Sequence, residues 1–452
     1  MKKKQIYIES LLKKKTGESA GHRQRVERVA GQVKTFLETG NRISIQKASL
    51  SHMVNSLGKR KNEAAKINIR DFVNILSIDP ERRICIAESG VTFSKLVRET
   101  LKYNLVPKCV PEIKSITLGG TVSGCSVESM SFKHGGFYDS CLEFEIVTGR
   151  GDILTCSRGE DTFEMLHASF GTLGIITTIA FELVPAKPYV HLDFHKYDSL
   201  AGFQDAMVDH FTGQDIDFMD GIVHSPAQFV LCTGSFVDNA PYTGTSYWTP
   251  YYKSTLKRRQ DYLRTYDYFF RYDRDGFWVS GKYGMENKLL RLLLGPFVLG
   301  FDNMLNLAEI LFFLTNRTGK PYVIVDVLIP FTKSRDFYEW YEKEFNYFPL
   351  WVVPYRHDPY YKWVNPGFFR GLTDNLFIDF AIYAFKQPRD GRNYYRLLEE
   401  KVKELQGVKI LISHNFYQEE EFWEIHNKAL YDKVKSQIDP HNLFRNLYTK
   451  LC

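Results

Sequence analysis

The sequence predicts an α+β protein, a glycine-punctuated α+β lobe followed by a second, aromatic-rich α+β lobe, and three observations carry that prediction. Along roughly the first 190 residues the hydrophobic spacing switches between the helical period of about 3.6 and the strand period of about 2. Three glycines crowd the stretch Thr117-Leu118-Gly119-Gly120-Thr121-Val122-Ser123-Gly124-Cys125-Ser126-Val127-Glu128-Ser129. Beyond Pro185 and Pro188 the composition shifts toward Tyr and Trp.

The first lobe reads in order as follows. Val26, Val29, Val33, Phe36 and Leu37 recur at helical spacing across 17–39, with Gly40 as the stop. Short strands follow at Ile43 and Ile45, at 67–69, at 74–79 and at 83–87. Helical spacing returns from Gly90 to Tyr103 and leads into the glycine-rich stretch, read here as a turn. After it come the alternating strand 143–147, a hairpin through Thr148-Gly-Arg-Gly151, a short helix 161–167 and the β-branched run 175–179. The second lobe carries strands at 322–329 and 377–385, a charged helix from Tyr394 to about Gln406, a strand 408–413 and a final helix 419–434. The expected division is 1–189, 190–400, and a C-terminal segment 401–452 that returns to the first lobe.

A chain of 452 residues is too long for one ordinary core, and 44% apolar with 25% charged residues is a normal globular balance. The 34 Phe and 27 Tyr point to a large core or an apolar cavity. A net charge of +6, with both signs interspersed, argues against nucleic acid as a partner. Seven scattered cysteines without a C-x-x-C pair or zinc-like spacing predict reduced thiols, no metal site and an intracellular protein. Ile6 to Leu12 is too short and polar for a secretory signal. The apolar stretch 289–314 is too interrupted to span a bilayer, and it reads either as a buried helix pair or as a flap on a membrane surface.

Gly119, Gly120 and Gly124 have no side chain to hold an anion away, and with Thr117, Thr121 and Ser123 they can form a nest for a pyrophosphate. Three further elements stand in a telling order: Ser131-Phe-Lys-His-Gly-Gly136, Gly171-Thr172-Leu-Gly174-Ile175, and Asp439-Pro-His-Asn442-Leu-Phe444. Together they resemble the FAD domain of the vanillyl-alcohol oxidase (PCMH-type) superfamily. The runs VTFSKLV, VPEIKSITLGGTVSGCSVESMSFKHGGF, GTLGIIT, LVPAKPYV and EEEFWEIHNKALYDKV are similar to the delta-24 sterol reductase (Diminuto/seladin) group.

That resemblance implies a PCMH-type FAD-binding domain of two α/β subdomains with a second α+β cap domain. It implies FAD held by Thr117 to Ser129, by the backbone of Gly171, Thr172, Gly174 and Ile175, and a C-terminal segment pinned by Asp439, Pro440 and Asn442. The first phosphate loop reads Lys47-Ala-Ser-Leu-Ser-His-Met53, without glycine, so non-covalent FAD is expected and His52 reads as a loop residue. Where the eukaryotic sterol enzymes resemble membrane proteins at the N-terminus, this chain has only a basic, weakly apolar leader. The expectation is a cytoplasmic protein, with peripheral membrane contact left open. NADPH is the implied donor, although no Gly-x-Gly-x-x-Gly lies between a strand and a helix to hold it.

The implied activity is reduction of a C=C bond in the side chain of a sterol or related isoprenoid, an apolar lipid. An unpolarised alkene needs an acid that stays protonated in an apolar pocket. His134 and Lys133, just after the glycine stretch, and Tyr383, on the strand 378–385, are the candidates. Each has a second reading: His134 as a hydrogen-bonding turn residue, Lys133 as a phosphate neutraliser, Tyr383 as a core ring. Two other functions stay open, an FAD-linked oxidase or dehydrogenase of an alcohol, sugar or polyprenyl-linked carbinol, and a flavin- and lipid-binding protein without turnover.

Overall fold

The computed structural model describes residues 7–12, 17–40, 42–47, 65–124, 126–244, 247–315, 320–357 and 361–452. His52, most of the loop around it and Cys125 lie outside the described residues.

β1 (Ile43–Gln46) and β2 (Ala65–Asn68) form a parallel pair. β3 (Ile75–Asp79), β4 (Ile84–Glu88), β5 (Leu105–Pro107), β6 (Cys141–Val147), β7 (Ile153–Ser157) and β8 (Ile175–Pro185) build a six-stranded antiparallel sheet in the order β3-β4-β8-β6-β7, with β5 on the far end of β8. The β-branched run of β8 suits its central place, since both its faces are covered.

The helix Gly17–Thr39 lies on this sheet through Val26, Val29 and Val33, as its spacing predicts. A polar clamp fixes it. His22 is fully buried, with Nδ1 2.8 Å from Glu88 and Nε2 2.9 Å from Glu145. Burial alone would lower the imidazole pKa, but the hydrogen bonds to Glu145 and Glu88 outweigh it and raise it from 6.5 to about 9. The charged clamp therefore contributes fully below pH about 6.5, and its contribution, on the order of 3 kcal/mol, is lost as pH rises through about 9. Urea unfolding of the wild type and of His22→Gln should show the stability gap between them closing from pH 6 to pH 10, on the scale of these pKa values. A gap independent of pH would refute the clamp.

Three residues after β8 the chain enters the second sheet: β9 (Tyr189–Tyr197), β10 (Phe218–Ser225), β11 (Gln228–Val237), β12 (Gln260–Arg264), β13 (Val323–Pro330), β14 (Leu350–Arg356), β15 (Leu376–Phe385) and β16 (Val408–Lys409). Their order is β12-β9-β11-β10-β14-β15-β13-β16, antiparallel throughout. Its outer face is covered by the helices Leu200–Gly213, Ser334–Glu344 and Tyr394–Glu404 through Phe203, Phe337, Tyr341 and Leu398. Its inner face joins the first lobe in one continuous core, in which Leu118 and Met130 share a cluster with Phe218 and Trp351.

Four segments differ from expectation. The glycine-rich stretch is a short helix, Leu118–Gly124. The strand expected at 408–413 stops after Lys409, whose buried ammonium turns back to Glu399 and to the His414 carbonyl. The last long helix is two, Glu419–Ile425 and Lys428–Ile438, because His426 is extended and Asn427 caps the second. The apolar stretch 289–314 is the helix pair Lys288–Val298 and Phe301–Thr315, but the first helix is not buried.

Candidate functional site

A cavity of about 850 Å³ lies between the two sheets, within the size range of ligand sites. Its floor is the face of the helix Leu118–Gly124 that carries Gly119, Gly120, Thr121 and Ser123, continued by Ser126, Val127 and Glu128. One wall is the turn bearing Gly171 and Gly174. Lys47, Lys66, Arg445 and Lys450 lie around it, and the inner face of the second sheet forms the roof.

Small residues let the floor helix approach the first sheet. Leu118 and Gly119 donate backbone N–H bonds to Val91 and Ser89, at 3.0 and 2.8 Å, and a Cβ on Gly119 would stand 2.8 Å from the Ser89 Cβ. Leu118 and Val122 point into the core and are fully buried, so only the glycine and hydroxyl side of the helix faces the cavity. This is why the stretch is helical and not an open turn: the apolar residues four apart anchor one side of it. Gly174 adopts φ +140°, a conformation other residues rarely take, with the Val147 carbonyl 3.0 Å from a hypothetical Cβ.

The C-terminal segment is locked onto this wall by Asp439. It accepts from the backbone of Leu443 and Phe444 and pairs with Lys435 at 2.6 Å, while Lys435 also donates to the carbonyls of Thr172 and Phe444. Lys450 donates to the Phe170 carbonyl at 2.6 Å. Thus Thr172 contributes a carbonyl to the lock, and its hydroxyl donates to Ser169. Asn442 is exposed in a left-handed turn, and Ile175 is core; neither lines the cavity. Ser129 ties the floor to the second lobe: its hydroxyl accepts from Tyr268 and its carbonyl from the Met219 N–H.

Of the three candidate acids, Tyr383 alone lines the cavity. Lys133 is directed to the Gln214 and Ile216 carbonyls at 3.4 and 3.0 Å. His134 lies outside the lining, and burial together with Lys108 and Lys133 lowers its pKa to about 4, so it is neutral. These two follow the floor in sequence but close a separate helical turn, Ser131–His134, which carries them away from it.

Around Tyr383 the roof gathers buried acids. Ile324, Asp326 and Leu328 on β13 pair with Tyr383, Ala381 and Asp379 on β15, which puts Asp326, Asp379 and Tyr383 on one face. The Tyr383 hydroxyl donates to Asp326 Oδ1 at 2.7 Å. Burial raises the Asp326 carboxyl to about 6. Burial, and then the neighbouring Asp326 charge, raises Asp379 well above the carboxylate range. Glu128 is raised in the same sense by burial and by Glu112. Among the described residues, Asp379 Oδ1, Glu128 Oε2 and Ser89 Oγ are buried without a hydrogen-bond partner, and all three residues line the cavity. Such orphaned polar atoms mark where a ligand completes the bonding.

A β-bulge at Ala384, at φ +70°, aims Tyr383. The carbonyls it frees are satisfied by Trp278 and Tyr347 on Tyr383, and by Lys282 on Ala384. Asp326 and Asp379 escaped the sequence reading. Their signal was there, since each is the one acid in an otherwise apolar strand, VIVDVLIP and LFIDFAIYAF.

The glycine and hydroxyl floor, the flanking cations and the unpartnered Ser89 hydroxyl fit a dinucleotide pyrophosphate. Residues 27–157 match the FAD binding domain family. With that match and the α+β architecture, the chain carries an FAD-binding domain and is an FAD-dependent oxidoreductase. Over most of its length it is similar to the Delta(24)-sterol reductases. It is 26% identical to the Delta(24)-sterol reductase of Homo sapiens over 453 aligned residues, covering 95% of this chain and 86% of that protein. The enzyme of that name from Pisum sativum is 25% identical over 85% of this chain and 76% of its own length. Cytokinin dehydrogenase 9 of Oryza sativa subsp. japonica is 39% identical over 102 residues, 23% of this chain and 19% of that protein.

Proposed function

We propose that this protein saturates a C=C bond in the side chain of a sterol or related isoprenoid, with NADPH as donor. The observation that carries the reading is the set of buried acids, Tyr383, Asp326, Asp379 and Glu128, in a cavity that they share with the apolar side chains of Ile113, Ile116, Phe277, Ile410 and Ile412. An isolated alkene accepts hydride at one carbon only as a proton reaches the other. When bound, FAD supplies the hydride chemistry. Thr117 and the floor glycines hold the cofactor, with Lys47, Lys66, Arg445 and Lys450 supplying positive charge for its phosphates. Tyr383 holds a proton at its hydroxyl, which its hydrogen bond to Asp326 orients. Burial favours the protonated forms of Asp379 and Glu128, so protons are held beside the site, and solvent replaces the one proton that each turnover consumes. The name shared by the relatives supports the same chemistry.

A substrate of this kind partitions into bilayers, so the reading includes peripheral membrane contact by a cytoplasmic enzyme. Among the described residues no helix is long and apolar enough to cross a membrane.

Flavin-loaded protein should lose its oxidised flavin absorbance on anaerobic titration with NADPH, and should convert a sterol bearing a Δ24 bond to the saturated product. Unchanged sterol in the presence of NADPH-reduced enzyme would exclude the substrate assignment. Oxygen uptake with an alcohol panel, without NADPH, would assign an oxidase instead.

A further inference from the structure

The helix Lys288–Val298 is folded inside out. Arg291, Gly295 and Val298 form its buried stripe, while Leu289, Leu293 and Phe297 are 64%, 59% and 77% exposed, with Leu290, Leu292 and Leu294 also exposed beside them. The orientation is enforced. Arg291 is fully buried and pairs bidentately with Asp275, at 2.7 and 2.9 Å, and also donates to the carbonyls of Met285 and Tyr247. Rolling the helix to hide its leucines would pull this ion pair apart in a buried site, so the apolar face is held toward solvent.

We infer that this face docks on a phospholipid bilayer, with Leu289, Leu293 and Phe297 inserted below the headgroups. Three observations select a bilayer as the occupant. From Asn287 to Phe301 the only charged residues are Lys288 and Arg291, and the carboxylates on either side are engaged, Glu286 by Lys253 and Tyr252 and Asp302 by Ser115, so Lys288 can meet lipid phosphate. Trp248, 48% exposed, follows Tyr247, whose carbonyl accepts from Arg291. It sits beside the helix as an aromatic anchor at headgroup depth. Gly276, Phe277 and Val279 before the helix, and Phe301 after it, line the cavity described above. A docked helix therefore sets that cavity against the source of an apolar substrate. At about 1.5 Å per residue an eleven-residue helix is roughly half the hydrocarbon thickness, so it lies in the interface and does not span it. The purpose given to the docking rests on the proposed reduction of a lipid; the docking itself does not.

The test is flotation of the flavin-loaded, full-length protein with vesicles of phosphatidylcholine containing a minor fraction of phosphatidylserine. The wild type should float, and Leu293→Asp and Phe297→Asp should each reduce partitioning about tenfold or more. Flavin absorbance, and turnover of sterol delivered in cyclodextrin, should match the wild type. Should an aspartate variant lose its flavin, the double variant Leu289→Ser, Phe297→Ser repeats the measurement without a charge. A wild type that does not float, or variants that float as well as it does, would overturn the inference. So would a concentration-dependent dimer, broken by Leu293→Asp, in a protein that ignores vesicles, since the occupant would then be a second copy. Flotation lost in the variants without sterol turnover by any form would sink the reduction proposal and leave the docking standing.

Discussion

Replacing Tyr383 by phenylalanine is expected to slow alkene reduction by about 10²- to 10⁴-fold, the usual worth of a positioned general acid, while the flavin stays bound. The ring would keep its place, because it packs against Phe277 and Trp278 at 4.5 and 6.0 Å between centroids, and the bulge that aims it is held through backbone carbonyls. What would be lost is the hydroxyl that donates to Asp326. Stopped-flow measurement separates the steps: flavin reduction by NADPH should be unaffected, and reoxidation by substrate should carry the whole deficit. A substrate step within about threefold of wild type would remove Tyr383 from the chemistry and shift attention to Asp379 and Glu128. His134→Ala in the same assay should react at the wild-type rate, since His134 does not line the cavity. A selective loss there would restore the histidine as the acid.

Gly120→Val is expected to yield protein without flavin, with an affinity loss of at least about 10²-fold, about 3 kcal/mol. A Cβ at this position would stand 3.1 Å from the Thr117 hydroxyl and 3.7 Å from the Lys47 ammonium, so the added methyl groups extend into the space proposed for the pyrophosphate. The variant should still fold, because the glycine faces the cavity and not the core. Visible absorbance after purification, read beside far-UV circular dichroism, is the measurement. A folded variant with a full complement of flavin would refute the assignment of this floor. Gly119→Val is a different experiment: that side chain would collide with Ser89, and loss of fold would accompany loss of flavin.

Local chemistry along the chain was sufficient to bring out the glycine and hydroxyl side of the cavity. Glycines and hydroxyls between Thr117 and Ser129, the Gly171–Gly174 turn and the Asp439 closure are contiguous segments whose composition follows from what they must approach, and a motif of that kind survives in one dimension. Helical spacing likewise placed Val26, Val29 and Val33 inward. The element type of the glycine stretch was missed because its anchors, Leu118 and Val122, act only against a core that the stretch itself does not contain. The proton side was less visible. Tyr383 stood out as a tyrosine on an apolar strand, but its partner Asp326 is 57 residues away and arrives only through the register of β13 on β15.

Proximity in sequence misled for Lys133 and His134, which a single helical turn removes from the cavity. The leucine helix makes the same point most sharply. Its composition is compatible with burial or exposure, and an apolar stripe carries no sign saying which side faces in. The buried pairing of Arg291 with Asp275, a long-range electrostatic choice, turns the leucines outward. Composition and spacing thus determined which segments are rich in glycine and hydroxyls and which are apolar, because those properties reside in contiguous residues. Which acids meet over the cavity, and which way the leucines face, was decided by tertiary structure, because both depend on partners that strand register and buried charge bring together from distant parts of the sequence.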